Sequence, residues 1–206
     1  AIVVTGTRRN DLKAADAALP IDIITGDELL EKGAADMNDL LRTEVPALNI
    51  QRLVSNDGAV FTRPFSLRGL PPDQTLVLVN GKRRHRGATV QFTNVPYIRG
   101  SQGPDLAAIP SVAVGQLEVL RDGASALYGS DAIAGVLNFG LRRDREGGLL
   151  IARYGQYYEG DGKDLLVQGN LGLPFTANGF VNISGEYVNS NTTSRGIQRP
   201  DAQALI

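Results

Sequence analysis

The sequence predicts an α+β fold, in which a small mixed β-sheet with short helices is followed by about three antiparallel strands. Two observations predict it. Up to Leu141, short apolar runs alternate with capping and turn signals, and 24 Gly and 10 Pro among 206 residues favour turns and short strands over long helix. Beyond Leu141, segments of about ten residues alternate apolar and polar side chains, which is the period of a strand with one apolar face.

Composition removes several function classes. The 21 basic and 22 acidic residues leave a formal charge of −1, so no global basic field draws nucleic acid or an anionic membrane surface. Cysteine is absent, which excludes disulfides and thiolate metal sites. No run of about 18 apolar residues spans a bilayer as a helix. With neither a starting Met nor a signal peptide, the chain reads as a mature or excised piece.

Taken in order, Ile2-Val3-Val4-Thr5-Gly6-Thr7-Arg8 is a short β-prone run, and residues 1–19 fit an ordered strand or a mobile terminus equally well. Ile21-Asp22-Ile23-Ile24 reads as a strand. Thr25-Gly26-Asp27-Glu28 has the form of a capping box, so a short helix should follow and end near Gly33. A second helix starting after Asp36 places Met37, Leu40 and Leu41 on one face and should stop before Pro46. Leu48, Ile50 and the residues up to Leu53 suggest another strand, and residues 54–64 a polar loop. Phe65-Ser66-Leu67-Arg68-Gly69-Leu70 alternates like a half-buried strand, and Leu76-Val77-Leu78-Val79 is a buried-type strand running into the Asn80-Gly81 turn.

Residues 84–103 form a long irregular stretch carrying Arg84, His85, Arg86, Gln91, Phe92, Tyr97 and Arg99. Loops of this length in a compact domain are functional or disordered. The cluster suits an anionic, oxygen-rich chelate or an acidic substrate, and it suits a solvated loop equally. Asp105 is placed to cap a short helix through Ala108 that Pro110 ends, before residues 112–120 return to strand. His85 is the only histidine and stands between arginines, so no metal site is expected. Tyr128-Gly129-Ser130-Asp131-Ala132 lacks the glycine of a nucleophile elbow, and no phosphate-loop Lys follows the glycines. No catalytic residue and no cofactor is assigned, and the chain is expected not to be an enzyme.

The most informative stretch is residues 117–138, LEVLRDGASALYGSDAIAGVLN. Leu117, Val119 and Leu120 around Glu118 suit a short strand, Asp122-Gly123 is a turn, Ala124 to Tyr128 fit one helical turn ended by Gly129, and residues 134–139 return to strand. This stretch resembles the signature region of the plug domain of TonB-dependent outer-membrane receptors. There, Glu-Val-x-Arg leads through small residues to Leu-Tyr-Gly and Gly-Val-Leu-Asn, here Glu118 to Arg121, Leu127 to Gly129 and Gly135 to Asn138. Ser66-x-Arg68-Gly69 and the strand ending at Asn80-Gly81 are two further matches.

The resemblance implies residues 1–143 as the plug domain and 144–206 as the N-terminal fragment of a transmembrane β-barrel, in the outer membrane of a Gram-negative bacterium with the N-terminus periplasmic. It implies that the strand ending at Asn80-Gly81 leads to the outward face, where residues 84–99 contact ligand. It makes Arg68 and Arg121, with Glu118 of the same strand, candidate plug–barrel anchors, whose partners are expected in barrel sequence outside this chain; guanidinium suits such bidentate contacts. The implied partners are the chain's own β-barrel, the TonB protein, and a scarce nutrient or metal chelate. That nutrient is most often a ferric siderophore, with cobalamin, haem, saccharides or peptides as alternatives. TonB pairs by strand addition with a coupling box that lies further N-terminal in the family, and no convincing copy is seen here.

Past Leu141, Leu165, Val167, Leu171 and Leu173 fall on one face with Asp164, Gln168 and Asn170 on the other. Val181, Ile183 and Tyr187 likewise oppose Asn182, Ser184 and Glu186. Residues 149–158 are a less regular member whose Tyr154, Tyr157 and Tyr158 suit an interfacial girdle. Such segments fit transmembrane strands, although alone they fit a soluble sandwich. The competing reading is therefore a periplasmic or cell-surface β-rich binding module without transport activity. Three strands cannot close a barrel, so they are expected to fold onto the plug, pair with another copy, or be poorly ordered. Residues 192–206 read as the start of an external loop.

Overall fold

The computed structural model describes residues 20–32, 36–52, 59–92, 95–121, 124–176, 179–193 and 195. The run at residues 2–8, the helix end at Gly33, the loop at 53–58, the Asp122-Gly123 turn and most of the stretch 192–206 lie outside them. In chain order the elements are β1 (Ile21–Thr25), α1 (Gly26–Glu31), α2 (Met37–Glu44), β2 (Leu48–Ile50), α3 (Ala59–Thr62), β3 (Phe65–Leu67), β4 (Thr75–Val79), β5 (Lys82–Arg83), β6 (Val114–Leu120), α4 (Ser125–Tyr128), β7 (Gly135–Leu141), β8 (Gly148–Gly155), β9 (Asp164–Pro174) and β10 (Phe180–Ser190). Short 3-10 turns lie at 72–74, 111–113 and 130–132.

The first sheet is mixed, in the order β1-β6-β7-β4-β5, with β7 and β4 parallel and every other pair antiparallel. Its strands are apolar on both faces because both faces are covered. Leu117, Val119, Leu137, Phe139 and Val77 pack against Leu29 of α1, Leu40 and Leu41 of α2, and the small β2–β3 sheet. On the other face Leu76, Leu78, Leu120 and Val136 meet Ala124, Ala132 and Tyr128.

Local signals set the connections. The capping box forms, with the Thr25 amide donating to Glu28 Oε2 (2.7 Å) and the Glu28 amide to Thr25 Oγ1 (3.3 Å). Asp36 caps α2 through Oδ1, which accepts from the Asp39 amide at 3.1 Å, and the helix ends at Glu44, ahead of Pro46. Gly135 in the signature stretch has φ +144°, and a Cβ there would stand 2.3 Å from the Leu120 carbonyl oxygen, so only glycine fits.

Three expectations change. Asp105 caps only a turn, its Oδ1 accepting from the Ala107 amide at 2.9 Å, because Pro110 leaves too few residues to nucleate a helix. All three residues of β3 are buried, since β3 is covered on both sides rather than one. Asn80-Gly81 turns at the same end of the sheet as Leu141, whose amide donates to Asn80 Oδ1 (2.8 Å). β5 then carries the chain back along β4, with the Arg84 amide donating to the Val77 carbonyl (2.9 Å), so the long loop departs from the opposite end.

The second sheet is the antiparallel meander β8-β9-β10, paired in register over the full length of β9. Its alternation has the predicted phase. Leu150 (77%), Ile183 (56%) and Tyr187 are exposed with Leu165, Leu171 and Leu173, whereas Gln168 (2%) and Asn170 on the opposite face are buried. Of the three expected fates, folding onto the first unit is the one observed: Gln168 Nε2 donates to Ser111 Oγ of the 111–113 turn at 2.8 Å.

Candidate functional site

The described residues between 84 and 103 fold back on themselves. The Gly87 amide donates to the Gly103 carbonyl (3.0 Å), the Gln91 amide to Ser101 (3.0 Å) and the Gly100 amide to Gln91 (2.7 Å), over a buried Ile98. The missing period in the sequence thus reflects a loop built from backbone pairs, which leave no side-chain pattern. Gln91 is only 3% exposed, and its Nε2 donates to Thr62 Oγ1 at 3.1 Å. This corrects its place among the ligand-facing candidates, because it ties the loop to α3. Phe92, His85 and Arg99 are exposed, and Tyr97 and Arg84 are half-buried.

At the base of this loop, Asp131 of the signature stretch holds two arginines. Arg83 Nη1 lies 2.6 Å from Asp131 Oδ2 and Arg86 Nη2 lies 3.1 Å from Oδ1, while Arg83 Nη2 also donates to the Tyr128 carbonyl. A cleft of about 220 Å³ gathers Arg83, Arg84, His85 and Arg86 around Asp131, and Phe92, Tyr97 and Arg99 do not line it. Two of the basic groups therefore share one carboxylate within the chain, which offsets one of their two charges. Sequence reading missed Arg83 and Asp131 as partners, and a separation of 48 residues carries no local signal.

The anchor candidates occupy the edge near β1. Arg68 has φ +57°, a strained conformation for a side chain with a Cβ, and its Nη1 donates to the Arg121 carbonyl at 2.6 Å. Arg121 Nη2 donates to Asp22 Oδ1 of β1 at 2.9 Å. The expectation that its partners all lie outside this chain is thereby corrected: the first sheet supplies one, because β1 pairs with β6 and sets Asp22 opposite Val119. Glu118 is 2% exposed, and its carboxylate accepts from Gln116 Nε2 (2.8 Å) and Asn138 Nδ2 (3.3 Å). It is taken up inside the first unit.

A mixed sheet with a Gly-punctuated signature, joined to a meander with its apolar face outward, sets the terms for comparison with known proteins. Residues 13–136 match the TonB-dependent Receptor Plug Domain. The chain belongs to this family. It is 34% identical over 131 residues to the iron-regulated outer membrane virulence protein of Vibrio cholerae, covering 64% of this chain and 18% of that protein. It is 32% identical over 142 residues to the ferric enterobactin receptor PirA of Pseudomonas aeruginosa, covering 68% and 18%. Among solved structures, a variant of the ferric enterobactin receptor PfeA of P. aeruginosa, in complex with enterobactin, superposes with a TM-score of 0.66 at 26% identity, covering 84% of this chain and 25% of that one. The chain thus spans about a fifth of the length of these curated relatives. The first is named as an outer-membrane protein and the second as a receptor, and the α+β architecture is that of a plug with the start of its barrel.

The plug meets its barrel strands through polar groups. Gln168 Nε2 bridges Ser111 Oγ of the plug and Glu186 of β10, both across the inward face of the meander. Arg142, where the chain leaves the first sheet, reaches Asp27 of α1 (2.7 Å) and Asp144 (3.8 Å). At the other end of the strands a groove of about 590 Å³ separates Asp36, Arg52 and Val60 of the plug from Tyr157, Asp164 and Thr192 of the barrel side. Arg63 bridges Asp36 and Asp39 beside it, and Arg52 also bonds Asp39, which raises the Arg52 pKa. On the barrel side Arg195 lies 4.6 Å above the Tyr157 ring and bonds Asp161, holding that carboxyl below its usual range.

Proposed function

We propose that this chain is the gating part of a receptor that takes up a ferric siderophore by an energy-coupled route, with residues 1–143 as plug and 144–206 as the first barrel strands. The observation that carries the reading is the polarity of the meander. A soluble sheet buries its apolar face, and this one buries Gln168 and Asn170 while Ile183 and Tyr187 face out, as a strand between lipid and a polar lumen requires. The named relatives, receptors for ferric enterobactin among them, support an iron chelate as the ligand.

In this reading the plug blocks the lumen, and Arg84, His85, Arg86, Phe92, Tyr97 and Arg99 on the 84–99 loop contact ligand arriving from outside. Arg68 and Arg121 hold the plug to the barrel wall. The TonB protein, driven by the proton-motive force, draws on the N-terminus to open a path. No bond is made or broken in the ligand.

The test uses the full-length parent receptor in cells, with outer-membrane fractionation and uptake of a ferric siderophore panel, for the unaltered protein and for R84A, R99A and a deletion of residues 84–99. Membrane localisation with uptake lost in the deletion is the expected result. A parent found free in the periplasm would replace the transporter with a binding module.

A further inference from the structure

The Arg121 guanidinium is half satisfied. Nη2 is held by Asp22, whereas Nε is buried without a hydrogen-bond partner. A charged donor buried without an acceptor is costly, so this guanidinium depends on the bond that Asp22 gives it. The acceptor it already has comes from β1, the edge strand of the sheet and the first described strand of the chain. β1 touches the sheet only through β6, over five residue pairs from Ile21 opposite Leu120 to Thr25 opposite Gln116. Pairing therefore begins at the residue where the chain enters the sheet, and a displacement from the N-terminal side reaches Ile21 and Asp22 before Ile23 to Thr25.

Resting on the plug reading above, we propose that Asp22 is a clasp that makes the Arg121 anchor responsive to the N-terminal strand. With β1 seated, Asp22 neutralises Arg121 and keeps its guanidinium at the sheet edge. When β1 is withdrawn, Asp22 leaves with it, and Arg121 loses the carboxylate that fixes it at the sheet edge, so its hold on the barrel wall loosens. Arg68 follows, since its guanidinium bonds the Arg121 carbonyl and its backbone is held at a strained φ. Movement at the N-terminus and the state of both anchors become one event, transmitted through a single ion pair between residues 99 apart in the chain.

The pair is half exposed, so its loss should raise local opening by about two- to fivefold, the range of an exposed ion pair. The experiment is amide hydrogen exchange on the full-length receptor in bilayer discs, read at residues 21–25 and, as an internal reference, at residues 136–139. D22N is expected to raise exchange at 21–25 by that factor and leave 136–139 unchanged, and D22R to raise it further. The swap D22R with R121D should return it to near the unaltered value. A second measurement is phenylglyoxal modification of Arg121 in I23P, which breaks the β1 ladder but keeps Asp22; modification should rise severalfold. Unchanged exchange in D22N, a swap no better than D22R alone, or unchanged Arg121 reactivity in I23P would overturn the clasp. These readouts do not need transport, so a receptor that takes up nothing would sink the transport reading and leave the clasp to be decided separately.

Discussion

The two sheets of this chain use the same strand alternation for opposite solvents. In the five-stranded sheet both faces are apolar and both are covered, so Leu76 and Val77, neighbours on β4, enter different clusters and are each buried. In the meander one face is apolar, and it is the open one. The first sheet is held by burial, at roughly 25 cal/mol per Å² of apolar surface removed from water. The second gains nothing from water on its outer face; it is held by its ladder and by the polar bonds of Gln168 and Asn170, and its outer face needs lipid. A strand's period therefore identifies its two faces, and only the chemistry of what covers them says which is inside.

The sharpest way to break this contrast is in the covered sheet. F139A removes a fully buried ring and should cost about 3–5 kcal/mol in the denaturant stability of the plug. The corresponding disruption of the meander needs charge rather than truncation. I183R on the open face should cost about 2–4 kcal/mol when refolding is measured in lipid vesicles. At the seam between the sheets, Q168A removes the bonds to Ser111 and Glu186 and should weaken plug retention by about 1–3 kcal/mol, read as the urea concentration at which plug amides lose protection before the strands do.

The smallest effect concerns the helix next to the clasp strand. T25A removes the cap of α1 and should cost about 1 kcal/mol, seen as faster exchange at residues 27–31. Glu28 gives the same helix a pH dependence. The Thr25 amide and hydroxyl hold its carboxyl below the ordinary value of 4.5. A depressed folded pKa stabilises fully above the unfolded value and is lost as pH falls through the folded one. Protection of α1, corrected for intrinsic rates, should therefore be flat from neutral pH down to about 4.5, fall as pH drops from there through the folded pKa, and level off below it.

Much of this was legible because it is local. The capping box at Thr25 and Glu28, the stop ahead of Pro46, the turn closed by Gly129 and the alternation of β9 and β10 each need only residues within a few positions. The family signature is local in the same sense, since Gly135 must be glycine where β7 passes the Leu120 carbonyl. What sequence did not disclose is long-range and polar. Asp22 with Arg121, Asp131 with Arg83 and Arg86, and Gln168 with Ser111 are brought together by topology, and no periodicity records them. The loop at 84–103 was opaque for another reason: its order rests on backbone bonds, and Gln91, which looked like a ligand donor, is spent on Thr62.

In the proposed receptor the face of the meander carrying Ile183 meets lipid while the face carrying Ser184 meets the plug. This placement is tested most directly by nitroxide labels placed singly at 183 and 184 in the full-length receptor in bilayers, with collision rates measured against oxygen and against a water-soluble nickel chelate. High oxygen and low nickel access are expected at 183, and low oxygen access at 184. Equal access at both positions, or nickel favoured at 183, would contradict that placement and return the three strands to a water-exposed sheet.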